Sequence, residues 1–207
     1  MDEAGIRDRI RRELSPERFR HTEGVVCTAE RLALRHGADP EKARLAAWIH
    51  DVAREWEWAR LVDTARRFQV ESAFFDVPAV LHGPVAAGLA KEWFGVDDED
   101  IRNAIRYHTS GRVGMTRLEM VLCLADAIEP GRRYPGVDRL RTLAEENLER
   151  ALAESFDATL AYLIARRAPI FELTVRARNH LWRRVLGADG SGASFAPHET
   201  KDWEERE

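Results

Sequence analysis

The chain has 207 residues, a formal net charge of −4, 44% hydrophobic and 33% charged residues. That is apolar content enough for one packed domain, and no run of about 18 apolar residues marks a helical membrane span. The acidic balance argues against a nucleic-acid partner, and the charged start MDEAGIRDRIRREL has no apolar signal-peptide core, so a cytoplasmic protein is expected.

Nearly every segment then reads as helix. SPERFRHTEGVVCTAERLALRHG has Ser15 as N-cap, Pro16 at the first helical position and Gly37 as the stop. DPEKARLAAWIHDVAREW repeats the device with Asp39 and Pro40, and the pattern predicts a helix running on through His50 and Asp51. WARLVDTARRF follows. PVAAGLAKEWFG opens at Pro84 and closes at Gly95, DDEDIRNAIRYH carries acids in its first turn, and MTRLEMVLCLADAIEP ends before Pro130. Beyond EPGRRYPGV, long helical patterns resume: VDRLRTLAEENLERALAESFDATLAYLIARRA carries leucines at mostly three- to five-residue intervals, and FELTVRARNHLWRRVLG is the last helix. Alternating β-branched runs are absent. The expectation is an all-α class: a single helical bundle of about eight or nine helices over residues 1–186, with a disordered tail over 187–207.

Cys27 and Cys123 are the only cysteines and read as two small buried hydrophobes rather than a disulfide framework. The only lysines are Lys42, Lys91 and Lys201; every other basic residue is arginine, the better bidentate partner for phosphate. Trp56, Trp58 and Trp93 belong to the core or to an interface, which leaves a homodimer open.

Polar residues in apolar settings carry the chemical signal. His50 and Asp51 sit side by side in AAWIHDVARE, surrounded by Ala43, Ala46 and Ala47, whose small side chains leave clearance for a neighbouring helix or bound ions. Adjacent helix positions differ by roughly 100° in direction, so the two side chains can still converge on one ion. Arg54 lies one turn further on, as a helix-end charge or an anion contact. Asp126 interrupts the apolar run MVLCLADAIEP, where a carboxylate needs a cation: an arginine or a metal. His21, His82 and His108, and more weakly His180, are conspicuous by their neighbours; each alone is more simply a hydrogen-bonded histidine.

The ordered set His21, His50, Asp51 and Asp126 in an all-helical chain resembles the HD-domain metal-dependent phosphohydrolases. With His82 and His108 between the pair and the last Asp, it resembles the dinuclear branch. The segments RHTEGV, IHDVAR, LHGPVAA, YHTSG and LADAIEPGRRYPGV, in this order, narrow the resemblance to the YqeK family. The resemblance implies symmetrical cleavage of diadenosine tetraphosphate to two ADP by a metal-bound hydroxide attacking phosphorus. It implies a pair of iron ions held by His21, His50, Asp51, His82, His108 and Asp126, with Asp51 as the bridge; the nitrogen and oxygen set also suits Mn, Co or Zn. Asp51 and Arg54 take catalytic roles. Arg54, Thr109, Ser110, Gly111, Arg132 and Arg133 become the candidate phosphate contacts. Arg54 stands where the family usually has Lys, Ser110 where it has Thr, and PIFEL departs from its His-Pro. Two alternatives stay open: a mononuclear nucleotidase or nucleoside-triphosphate phosphohydrolase, which leaves His82 and His108 unexplained, and a non-catalytic nucleotide-binding protein.

Overall fold

The structure is a computed structural model that describes residues 3–188. Among these the chain forms α1 (Glu3–Glu13), α2 (Pro16–His36), α3 (Pro40–Ile49), α4 (Trp58–Arg67), α5 (His82–Phe94), α6 (Glu99–Tyr107), α7 (Arg117–Ile128), α8 (Val137–Glu146), α9 (Leu148–Ala165) and α10 (Glu172–Ala188). Two 3₁₀ turns, Ser72–Phe75 and Pro78–Val80, precede α5, and the described residues contain no strand. The class is all-α, with slightly more helices than expected. The charged start forms α1, and Asn147 divides the long helical stretch after the loop into α8 and α9. Its backbone is extended (φ −148°, ψ 104°) and its side chain accepts from Arg150 N, so it ends one helix and caps the next.

The caps form as the residue types dictate. Ser15 accepts from Arg18 N, Asp39 from Glu41 N and Lys42 N, Asp98 from Asp100 N and Ile101 N, and Thr116 from Glu119 N. Each such cap stabilises a helix by ~1 kcal/mol. At the centre lies α7, packed against α2, α3, α6 and α9. Leu118 to Ala125 are all buried, as befits a helix apolar around its whole circumference. The one acid in that run, Glu119, is 1% exposed and takes two hydrogen bonds from Arg112, at 2.9 and 2.6 Å.

The predicted course of α3 needs correction. Regular helix ends at Ile49, and His50 N still donates to Ala46 O at 2.9 Å. The chain then tightens into turns with i+3 bonds: Val52 N to Ile49 O at 3.0 Å and Arg54 N to Asp51 O at 2.8 Å. Residues Ile49, His50, Val52 and Ala53 are fully buried and Asp51 nearly so, a density that no single helical face provides. Ala43, Ala46 and Ala47 are fully buried as well, where α3 packs against α2 and α6.

Other expectations divide. Cys123 is buried, but Cys27 is exposed on the outer side of α2, so the reading of both as buried hydrophobes holds for one. Trp56 and Trp93 pack on each other at 5.8 Å and are partly buried against the core, whereas Trp58 is exposed. No helix of the described residues is long and apolar enough to cross a membrane. Gly187 and Ala188 complete α10; the rest of the expected tail, with His198, lies outside the described residues.

Candidate metal centre

Helix ends carry most of the polar cluster. His50 caps the C-terminus of α3 and His108 that of α6. The last carbonyls of a helix lack intrahelical partners, and both histidines use them: His50 Nδ1 donates to Ala47 O at 2.6 Å and His108 Nδ1 to Ile105 O at 2.7 Å. That bond holds the proton on Nδ1 and leaves Nε2 as a lone pair facing inward. His21 stands on α2, His82 opens α5, and Asp126 lies in the last turn of α7.

These side chains meet around Asp51, which is 3% exposed. Its Oδ2 is 3.5 Å from His50 Nε2 and 3.7 Å from His21 Nε2. Its Oδ1 is 3.2 Å from His82 Nε2 and 3.6 Å from His108 Nε2. Two groups with metal-ligand spacing therefore share one carboxylate: His21, His50 and Asp51, and Asp51, His82 and His108. Asp126 Oδ1 adds to the first, 3.0 Å from His21 Nε2.

The donor set fits cations. Nε2 of His21 and Nε2 of His50 are buried without a hydrogen-bond partner, a cost that a metal would remove. Burial pushes His50 and His82 down to about 4, so both are neutral at physiological pH, the form that ligates. Burial acts to raise Asp51, but the imidazoles of His50, His108 and His82 outweigh it and hold the carboxyl well below its usual range. Asp126 is likewise lowered: burial is outweighed by His21 and Arg132. Anionic carboxylates facing inward-pointing imidazole nitrogens form a receptor for divalent cations, and neither cysteine takes part.

Of the expected phosphate contacts, three lie at this cluster. Thr109 Oγ1 is 3.0 Å from His108 Nε2 and 3.3 Å from His82 Nε2. Arg54 Nη1 donates to Ala79 O at 2.9 Å and lies 3.2 Å from His82 Nδ1. Arg132 holds Asp126 through Oδ1 at 2.6 Å and through its carbonyl at 2.8 Å, so the arginine and the metal readings of Asp126 coexist. The other three lie apart. Ser110 is buried, with its hydroxyl donating to Gly111 O. Gly111 is explained by packing: φ is +62°, its N–H donates to Tyr107 O, and a Cβ would stand 2.6 Å from Phe156 Cζ. Arg133 is exposed and bonds the carbonyls of its own loop.

Two residues at the site escaped sequence reasoning. Arg18 Nη1 is 3.1 Å from Asp51 Oδ2, and the carboxylate of Glu129 accepts from His21 Nδ1 at 3.1 Å. Each stands three positions from a ligand, Arg18 before His21 and Glu129 after Asp126, a spacing that places both on the ligand's side of the chain. Arg18, Arg132 and His21 line a cleft of ≈ 610 Å³ between α2 and the loop after α7.

The HD-domain family model matches residues 18–131. A symmetrical bis(5'-nucleosyl)-tetraphosphatase of Bacillus subtilis (strain 168) is 43% identical over 173 residues, covering 83% of this chain and 93% of the relative. One from Halalkalibacterium halodurans is 38% identical over 174 residues, covering 83% and 92%. The chain belongs to the HD-domain family of symmetrical bis(5'-nucleosyl)-tetraphosphatases. A crystal structure from Clostridium acetobutylicum, described as an HD superfamily hydrolase involved in NAD metabolism, superposes with a TM-score of 0.86 at 38% identity, covering 89% of this chain and 98% of that one. As a family member the chain is a metal-dependent phosphohydrolase. The matched HD span contains both histidine clusters, Asp126, Arg18 and Glu129.

Proposed function

We propose that the chain cleaves dinucleoside tetraphosphates symmetrically, taking diadenosine tetraphosphate to two ADP, with two metal ions on either side of Asp51. The observation that carries this reading is the division of one buried carboxylate between two pairs of histidines, His21 and His50 at Oδ2, His82 and His108 at Oδ1. The activity that names the relatives supports the substrate. A mononuclear site would leave the second cluster without a purpose. Iron is the proposed occupant, and Mn, Co and Zn suit the same donors.

Two such ions, when bound, acidify water and draw charge from phosphate oxygens. The protein's own contribution is orientation and charge. Arg18 and Arg132 lie on the His21 side of the cluster and Arg54 on the His82 side. Phosphates running both ways from a central scissile bridge would thus meet a guanidinium on each side, as a symmetrical cut requires. Thr109 offers a hydroxyl between His82 and His108.

The test is product analysis. Metal-loaded protein is incubated with diadenosine tetraphosphate and the nucleotides are separated by chromatography. ADP alone is expected; AMP with ATP, or no turnover under iron, manganese, cobalt or zinc, overturns the proposal.

A further inference from the structure

We infer that the two metal positions are unequal: the one at His21, His50, Asp51 and Asp126 binds first and tightly, and Glu129 is the positioning residue that makes it so. This rests on the dinuclear reading above and goes beyond it.

Three observations point the same way. Among the described residues, the first position has two carboxylates within reach and the second only the shared Asp51. The groups behind the histidines differ as well. Glu129, 4% exposed, accepts from His21 Nδ1 at 3.1 Å, and a carboxylate there fixes the ring's orientation and strengthens Nε2 as a donor. Behind His82 stands a cation instead: Arg54 Nη1 lies 3.2 Å from Nδ1. A guanidinium only donates, so this contact favours the tautomer with its proton on Nε2, which cannot ligate. The second ion must displace Arg54 from His82; the first meets a lone pair already in place.

The seat of Glu129 is built. Gly131 N donates to Oε2, and Arg132 Nε lies 4.0 Å from Oε1. Across the gap on α2 is Gly24, where a Cβ would stand 2.6 Å from Oε2. Any side chain at Gly24 pushes the carboxylate from its place beside His21.

The experiment is a calorimetric titration of metal-free, full-length protein with Mn(II), and anaerobically with Fe(II). Wild type is expected to take up one ion per chain at least about 10-fold more tightly than the second. Glu129→Gln weakens the first constant by about 10- to 100-fold and changes the second less. Gly24→Ala, which displaces the carboxylate without removing it, shifts the first constant in the same direction. A merely structural role for Glu129 would lower the melting temperature of the metal-free protein and leave the ratio of the two constants at its wild-type value; that result overturns the inference. Two equal constants in wild type overturn it as well, while leaving the dinuclear reading intact. Uptake of one ion only would instead remove the dinuclear reading, and the loss expected in Glu129→Gln would still test the role of Glu129 on that ion.

Discussion

His82→Ala removes one of the three groups of the second cluster and leaves only Asp51 and His108. Changing a group behind a ligand costs about 10- to 100-fold in metal affinity, so losing the ligand costs at least about 100-fold, about 2.7 kcal/mol. A metal ion supplies several kcal/mol of transition-state stabilisation, and a loss of about 4 kcal/mol is a fall of roughly 1000-fold in turnover. The fold loses less. The ring is 3% exposed, yet burial has already pushed its pKa to about 4, so it is a poorly solvated polar group rather than a well-packed apolar one. A cost of ~2 kcal/mol lowers the melting temperature by about 4–8 °C in a domain of this size. Metal per chain by mass spectrometry after iron loading, turnover of diadenosine tetraphosphate and melting temperature measure the three parts separately. The expected variant is folded, holds one metal and has almost no activity. A folded variant that keeps two metals, or that turns over at the wild-type rate with one, refutes the assignment of His82. His82→Gln, which retains bulk and polarity, serves if the alanine variant does not fold.

Three further outcomes are expected. Arg18→Ala should lower kcat/KM for the tetraphosphate by about 10- to 100-fold, the size of a charge-assisted phosphate contact, while metal content stays at two; unchanged kinetics would remove Arg18 from the substrate site. Gly111→Ala should destabilise by ~2 kcal/mol or more, because it combines a φ of +62° with a Cβ 2.6 Å from Phe156 Cζ, and an unchanged melting temperature would contradict the packing account. In metal-free protein His50 and His82 stay neutral to about 4, whereas unfolded histidines protonate near 6.5. Between those values the unfolded chain binds protons that the folded chain does not, so stability falls as pH drops through the window, by on the order of 3 kcal/mol per histidine at about pH 4. Denaturant midpoints that stay flat from about pH 7 to pH 4.5 would contradict this.

The all-α class was legible because five of the ten described helices begin on a Ser, Thr, Asp or Asn cap, and the candidate ligands were legible because His50, Asp51 and Asp126 interrupt apolar runs and stand in order with three further histidines. What stayed hidden depended on burial. The end of α3 could not be read from AAWIHDVARE, because Ile49 to Ala53 are buried without a helical period and no Pro or Gly punctuates the change. Asn147 offered a cap signal, but leucines on both sides continue the apolar spacing across it. Cys27 lies between the buried pair Val25 and Val26 and the buried Thr28, yet faces outward, off the stripe of Val25, Ala29, Leu32 and Ala33. Arg18 and Glu129 look in sequence like surface charges three residues from a histidine and an aspartate; only the contacts at 3.1 Å distinguish them.

The use of helix ends explains why so much of the cluster is ready to ligate. At His50 and His108 the acceptor behind the ring is a carbonyl three residues earlier, one that a helix terminus leaves unpaired in any case. Those rings hold the ligating tautomer with no second residue devoted to them. His21, in mid-helix, has no such carbonyl, and a distant carboxylate takes its place, which is why Glu129 and the space at Gly24 are needed. His82 stands at a helix start, where the unpaired groups are donors and the dipole opposes a positive ring. Burial keeps His82 neutral, but this end of the helix provides no acceptor that would draw a proton to Nδ1, and the group there is Arg54, itself a donor. The weaker second position inferred above would therefore follow from the end of the helix on which its histidine sits.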